Sequence, residues 1–264
     1  MRIATWNVNS IRSRVERVEA WLERNDCDVL AIQETKANQA QFPLLGLHAA
    51  GYEVAHHGLN QWNGVAICSR VGLADVQVGF EDMPSFGEPP ALEARAIGAT
   101  CDGVRIWSLY VPNGRALGDP HLAYKLKWLE HLRRAAGGWL STDADAQIAL
   151  MGDWNIAPRD EDVWDIAEFA NSTHVSTPER AAFQSIVDAG FSDLTRAHTP
   201  GPGVYTYWDY KQLSFPKRHG MRIDFVLGSP ALSSRVQGAS IDREERKGKG
   251  ASDHAPVIVE LAQP

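Results

Sequence analysis

The sequence predicts an α/β protein, and two observations carry that reading. Apolar runs of strand length alternate with stretches whose apolar residues recur at helical spacing. In addition, 264 residues at 44% hydrophobic and 22% charged have the composition of an ordinary globular chain, so residues 1–264 are expected to form one large domain.

Taken in order, "RIATWNV" reads as a strand, and the segment after it places Val15, Val18, Trp21 and Leu22 on one helical face. "DVLAIQET" is a buried strand with a polar end, and "YEVAHHG" and "GVAICS" are further strands. "ARAIGAT" and "VRIWSLYV" flank Cys101-Asp102-Gly103, where Asp-Gly signals a hairpin. A helix is expected from about Pro120 to Arg134, its apolar face built from Leu122, Leu126, Leu129 and Leu132. Then come a strand in "QIALMGDWN", a helix in "PERAAFQSIVDAG", and strands in "VYTYWDY", "MRIDFVLGS" and "APVIVEL". "TPGPGV" is a loop within the domain. The pattern suits two sheets packed face to face beneath outer helices, but it leaves the strand order open.

Bulk properties narrow the function classes. No stretch reaches the roughly 18 to 20 apolar residues of a membrane span, and the N-terminus lacks the apolar core of a signal peptide, so a cytoplasmic protein is expected. Cys27, Cys68 and Cys101 have no spacing that suggests zinc or redox chemistry and read as buried thiols. A net charge of −7 argues against coating nucleic acid through bulk positive charge. Any polyanion must be met locally, and Lys211, Lys217, Arg218, His219 and Arg222 form an acid-free stretch that could either do so or be a solvated loop.

Polar residues interrupt the apolar runs at particular points: Asn7, Glu34, Tyr110, Asp153 with Asn155, Asp224, and "SDH" from Ser252 to His254. Singly, most have ordinary readings as turn formers or rim residues. Asp224 is harder to dismiss, because a carboxylate between Ile223 and Phe225 is costly to desolvate unless paired, and His254 is a candidate partner. Together the groups are those needed to cut a phosphodiester. Glu34, Asp153 and Asp253 are hard oxygen ligands suited to magnesium. Asp224 could hold His254 in one tautomer, while Tyr110 and Asn155 could donate hydrogen bonds to phosphoryl oxygens.

The segments "WNVNSIR", "QETK", "LYVPNG", "GDWNIAP", "RIDFVL" and "SDHAPV", in order along nearly the whole chain, resemble the exonuclease III family of apurinic/apyrimidinic endonucleases. The resemblance implies the four-layered α/β sandwich of the endonuclease/exonuclease/phosphatase superfamily, two mixed β-sheets flanked by helices with the site at one end. It implies magnesium, with manganese as a possible substitute, held by Glu34 with Asn7, Asp153, Asn155 and Asp253 nearby. Asp153 would position or deprotonate the attacking water, Asn155 would orient the phosphate, His254 paired to Asp224 would act as base or phosphate ligand, and Tyr110 would contact the phosphate or leaving group. The implied reaction is hydrolysis 5' to an abasic sugar, with related 3'-to-5' exonuclease and 3'-phosphatase activities. Its partner would be double-stranded DNA carrying abasic sites or blocked 3' ends, met by a monomer that associates with the nucleoid when bound.

The same resemblance places an abasic pocket in "VYTYWDYKQLSFPKRHGMRIDFVL", with Tyr207, Trp208, Phe215, Met221 and Ile223 as candidate walls and Lys217, Arg218 and Arg222 as phosphate contacts. Arg115 is a further candidate DNA contact, and Tyr205 reads as core. Met221 stands where many relatives carry Trp, which implies a softer wall. Phosphatase action on inositol phosphates or sphingolipids, and a silent DNA-binding scaffold, are the competing readings. The aromatic-basic stretch argues against the first and the complete polar set against the second.

Overall fold

The computed structural model describes residues 1–263. Its strands are β1 (Arg2–Asn7), β2 (Val29–Gln33), β3 (Glu53–His57), β4 (Val65–Ser69), β5 (Ala74–Val78), β6 (Ala96–Cys101), β7 (Val104–Tyr110), β8 (Ile148–Asp153), β9 (Ser192–Asp193), β10 (Asp224–Gly228), β11 (Val236–Ile241) and β12 (Val257–Leu261). The α-helices are α1 (Val15–Asn25), α2 (Leu44–Ala49), α3 (Pro120–Thr142), α4 (Thr177–Asp188), α5 (Ser214–Lys217) and α6 (Pro230–Ser233).

Two six-stranded sheets result, ordered β11-β12-β1-β2-β4-β3 and β5-β6-β7-β8-β10-β9. Ile3, Val29, Ala31 and Ile67 of the first sheet meet Ile97, Ile106, Ala149, Met151 and Val226 of the second in a fully buried layer. The outer face of the first sheet, with Trp6, Leu30 and Ile32, is covered by Val18, Trp21 and Leu22 of α1. On the outer face of the second, Trp107, Leu109, Leu150 and Phe225 are covered by Trp128, Leu129 and Leu132 of α3 and Phe183 and Ile186 of α4. Helix, sheet, sheet, helix is the expected four-layered sandwich. Each sheet buries a face on both sides, which is why the central strands read as unbroken apolar runs.

Strand direction gathers the polar ends. β1 and β2 are parallel, as are β7 and β8, so the C-terminal ends carrying Asn7, Glu34, Tyr110 and Asp153 lie at the same end of their sheets. β10 runs antiparallel to β8 and β12 antiparallel to β1, so their N-terminal ends, with Asp224 and the Ser252–His254 turn, join the same group. Asp153 is registered against Tyr110 on one side and Asp224 on the other. Polar pins tie the two sheets beneath this end: Gln33 Nε2 donates to Ser108 Oγ (3.0 Å), whose hydroxyl donates to the Ile32 carbonyl (2.9 Å).

Several expectations are corrected. "VYTYWDY" is not a strand: Tyr207 makes only isolated bridges to Met221 and His254, because this segment crosses the sheet ends instead of lying in a ladder. β10 begins at Asp224, so Asp224 is a strand-end residue and not embedded in one. α3 continues to Thr142 and buries His121, Tyr124, Lys125, Trp128, Leu129, Leu132 and Ala136, while Leu122 and Leu126 lie at the margin of that face. β5, all of whose residues are exposed, and β11 were not expected.

Candidate active site

Asp153 is 1% exposed at the end of β8. It reaches this position because Gly152 lets β8 press on β7: a Cβ at Gly152 would run into the Leu109 carbonyl oxygen. Asp153 Oδ1 accepts from the Asn155 backbone N–H (2.9 Å), and Oδ2 accepts from Asn7 Nδ2 (2.9 Å). The same Asn7 amide donates to Glu34 Oε1 (2.8 Å), so one NH₂ group spends both hydrogens on two carboxylates and sets their separation. Lys36 Nζ lies 2.8 Å from Glu34 Oε2 and donates to Asn9 Oδ1 (2.5 Å), while Asn9 Nδ2 donates to Asp253 Oδ1 (3.1 Å).

On the other side, His254 Nδ1 is 2.8 Å from Asp224 Oδ2, and His254 Nε2 is 3.7 Å from Asp153 Oδ2. Thr206 donates to Asp224 Oδ2 (2.6 Å), and its hydroxyl accepts the Ile223 and Asp224 N–H groups (3.1 Å each). The Trp6 indole donates to the His254 carbonyl (3.1 Å), and Ser252 Oγ, which donates to the Asn7 carbonyl (2.7 Å), accepts the His254 N–H (3.2 Å). The ring therefore has little freedom, and Tyr207 packs against it with centroids 4.9 Å apart.

The electrostatics follow from this packing. Burial pushes the Asp153 carboxyl up, and repulsion from Asp224 and Glu34 adds to it, against the pull of His254. Burial would lower His254, but Asp224 and Asp153 overcome it and hold the imidazole well above its ordinary value. Burial likewise raises Glu34, yet Lys36 and the Asn7 amide outweigh it and keep the carboxyl below its usual range. Tyr110, pushed far up by burial and by Glu34, stays a phenol and hence a donor. Glu34, Asn9 and His174 hold left-handed backbones, with φ of 52°, 44° and 77°, a conformation costly outside glycine and concentrated at functional sites.

Glu34, Asp153 and His254 each direct one ligand atom into a common region, all within 4.8 Å of one another. Two carboxylates converging there with incomplete compensation fit a hard divalent cation. Asp253 is not in that group and stands back behind Asn9. Asn155 does not fit as a metal ligand: its Oδ1 already lies 3.1 Å from Asn113 Nδ2 and 3.0 Å from His174 Nε2, which uses both lone pairs. Its Nδ2 donates to the Val111 carbonyl (2.9 Å), which uses one of its two amide hydrogens.

The pocket candidates divide. Tyr207, Met221 and Ile223 cluster with Ala157 and Val163 beside the site. Trp208, 1% exposed, instead packs with Tyr205 and Ala255, with Phe215 against it, and Arg243 lies 4.2 Å over the Phe215 ring. These rings build the support behind the segment and do not line the site. Arg222 is also corrected: it is 1% exposed, and its guanidinium donates to Thr195 Oγ1 (2.6 Å) and the Thr199 carbonyl (3.1 Å), so it faces the interior. Lys217, Arg218 and Arg115 are exposed.

Sequence reasoning missed Asn9, Lys36, Asn113, Lys125, His174, Glu179 and Thr206. Two of these had a readable signal: Lys125 precedes Leu129 and Leu132, and Glu179 precedes Phe183 and Ile186, at the spacing of an apolar helical face. A charge on such a face requires a partner.

The chain belongs to the Endonuclease/Exonuclease/phosphatase family, which it matches over residues 4–254. Within it, the chain is an exodeoxyribonuclease III/AP endonuclease-type phosphodiesterase. It is similar to the 3'-5' exonuclease NExo of Neisseria meningitidis, at 36% identity over 100% of both chains with a TM-score of 0.93, a protein also described as a 3' phosphatase and solved with a product DNA hairpin. An AP endonuclease from Archaeoglobus fulgidus is 34% identical over 99% of both chains, TM-score 0.91. Exodeoxyribonuclease III of Haemophilus influenzae is 28% identical, covering 99% of this chain and 100% of its own. Among the described residues, no helix is long and apolar enough to cross a membrane.

Proposed function

We propose that this protein is a magnesium-dependent DNA repair nuclease that hydrolyses the phosphodiester 5' to abasic sites, leaving a 3'-hydroxyl, and that the same site removes 3' phosphates and 3' nucleotides. The observation that supports this reading most directly is the placement of Asp153 between the Glu34 carboxylate and the Asp224-held ring of His254.

In the reaction, Asp153 orients and deprotonates a water for in-line attack on phosphorus. His254, kept cationic by Asp224, faces the phosphoryl oxygens. Asn155 donates its remaining Nδ2 hydrogen and Tyr110 its phenol proton to the same oxygens as they gain charge. Glu34 and Asp153 would hold magnesium, which when bound would offset charge on the leaving 3'-oxygen. Tyr207 and Met221, half-buried over Ile223, line the position for a base-free sugar, and exposed Lys217, Arg218 and Arg115 meet flanking phosphates. DNA bound to the Neisseria relative supports this class of substrate.

The test offers purified protein a duplex with one abasic analogue, a duplex with a 3' phosphate, and inositol phosphates, each with magnesium or EDTA. Magnesium-dependent incision 5' to the lesion, mapped by its 3'-hydroxyl end, is expected. Intact DNA alongside rapid inositol phosphate hydrolysis would sink the reading.

A further inference from the structure

Behind the site lies an ion pair that the reaction does not touch. Lys125 Nζ and Glu179 Oε1 are 2.5 Å apart, with both side chains 0% exposed. Two charges on the apolar faces of α3 and α4 carry a desolvation cost that packing alone would avoid, since apolar residues of similar volume serve a core as well or better. Such a pair needs another account, and its remaining hydrogen bonds supply one.

Lys125 Nζ also donates to the backbone carbonyls of Asn155 (2.6 Å) and Asn113 (3.2 Å). Glu179 Oε1 also accepts the backbone N–H of His174 (2.9 Å). The three backbone positions gripped by the pair are therefore those of the three side chains that meet at one amide: Asn113 Nδ2 and His174 Nε2 both reach Asn155 Oδ1. Asn155 and His174 both hold positive φ, at 50° and 77°, so their loops need outside restraint to keep these conformations. Each of the three ammonium hydrogens has a partner, and the pair joins the loop after β7 to both ends of the segment between β8 and α4.

We propose that Lys125 and Glu179 are positioning residues that fix Asn155 for phosphate recognition by clamping the main chain of Asn113, Asn155 and His174. The proposal rests on the reading of Asn155 as the amide that meets the phosphoryl group. The clamp acts through Asn155 and makes no substrate contact of its own. Its loss is therefore expected in kcat, where transition-state contacts register, with little change in KM.

The decisive variant is the double substitution Lys125→Met/Glu179→Leu, which removes both charges together and avoids leaving one of them buried alone. Thermal unfolding identifies a temperature at which it is fully folded, and kcat and KM are measured there on the 3'-phosphate duplex. A kcat loss of about fivefold or more, with KM changed less than about threefold, supports the clamp. A folded double variant with smaller loss, or with its loss in KM, overturns it and leaves the pair a packing feature. Should the wild-type protein hydrolyse none of the DNA substrates, the functional reading fails, and the clamp is judged by side-chain amide NMR instead. A displaced Asn155 Nδ2 resonance in the double variant supports it, and an unchanged one overturns it.

Discussion

His254 stands between two aspartates, its Nδ1 2.8 Å from Asp224 Oδ2 and its Nε2 3.7 Å from Asp153 Oδ2. The shorter contact is a buried hydrogen-bonded pair; the longer lies beyond hydrogen-bonding distance and leaves Nε2 without a protein acceptor. Structure and chemistry are thus divided between the two nitrogens.

Removing either reacting group should show that division. Asp153→Asn and His254→Ala are each expected to lower single-turnover hydrolysis of the abasic duplex by about 10²- to 10⁴-fold, the usual scale for a proton-transferring group. Circular dichroism should report an intact fold for both. A near-normal rate in either variant removes that residue from the mechanism.

Metal binding has a readout independent of turnover. A ligand that binds only the native state raises its stability, so magnesium should raise the Tm of the wild-type protein. Glu34→Gln removes one carboxylate charge from the cluster with Asp153 and His254 and should largely abolish that rise. An equal rise in both would place the ion elsewhere.

The basic residues near the site should separate by location. Arg222→Ala breaks a buried network with Thr195 and Thr199 and is expected to cost about 3 kcal/mol in urea unfolding, with the salt dependence of DNA binding unchanged. Lys217→Ala/Arg218→Ala, on the exposed α5 turn, should instead weaken binding and flatten that salt dependence. The reverse assignment would refute the distinction.

Buried histidines predict an acid limit. Burial lowers His56 and His121 to about 4 and His174 to about 3, from 6.5. The unfolded chain binds protons at these sites before the folded one does, so their contribution is complete above pH 6.5 and lost as pH falls toward 4. The urea midpoint should therefore begin to fall between pH 6.5 and 5, before most carboxylates titrate. A flat midpoint across that interval contradicts it.

Met221 packs beside Ile223 and Val163. Met221→Trp should stiffen that wall and raise the preference for abasic over intact duplex ends by about 1 kcal/mol in relative kcat/KM, the scale of an aromatic contact. An unchanged ratio would locate the pocket elsewhere.

By itself, the sequence determined the α/β class, most of the strands, and the polar residues Glu34, Tyr110, Asp153, Asp224 and His254, because a polar side chain at the end of a buried apolar run is visible without coordinates. The family resemblance added the four-layered fold and the reaction expected of it. Only the tertiary structure decided which of the remaining candidates face the site. Trp208 and Arg222 share an aromatic-basic stretch with Tyr207 and Met221, yet they point inward, since composition does not encode the path of a segment that crosses the sheet ends outside any ladder. The meeting of Lys125 with Glu179, and of Asn113, Asn155 and His174, was likewise decided only there. Those contacts join residues remote in the chain through helix packing and loop closure, which no local periodicity records.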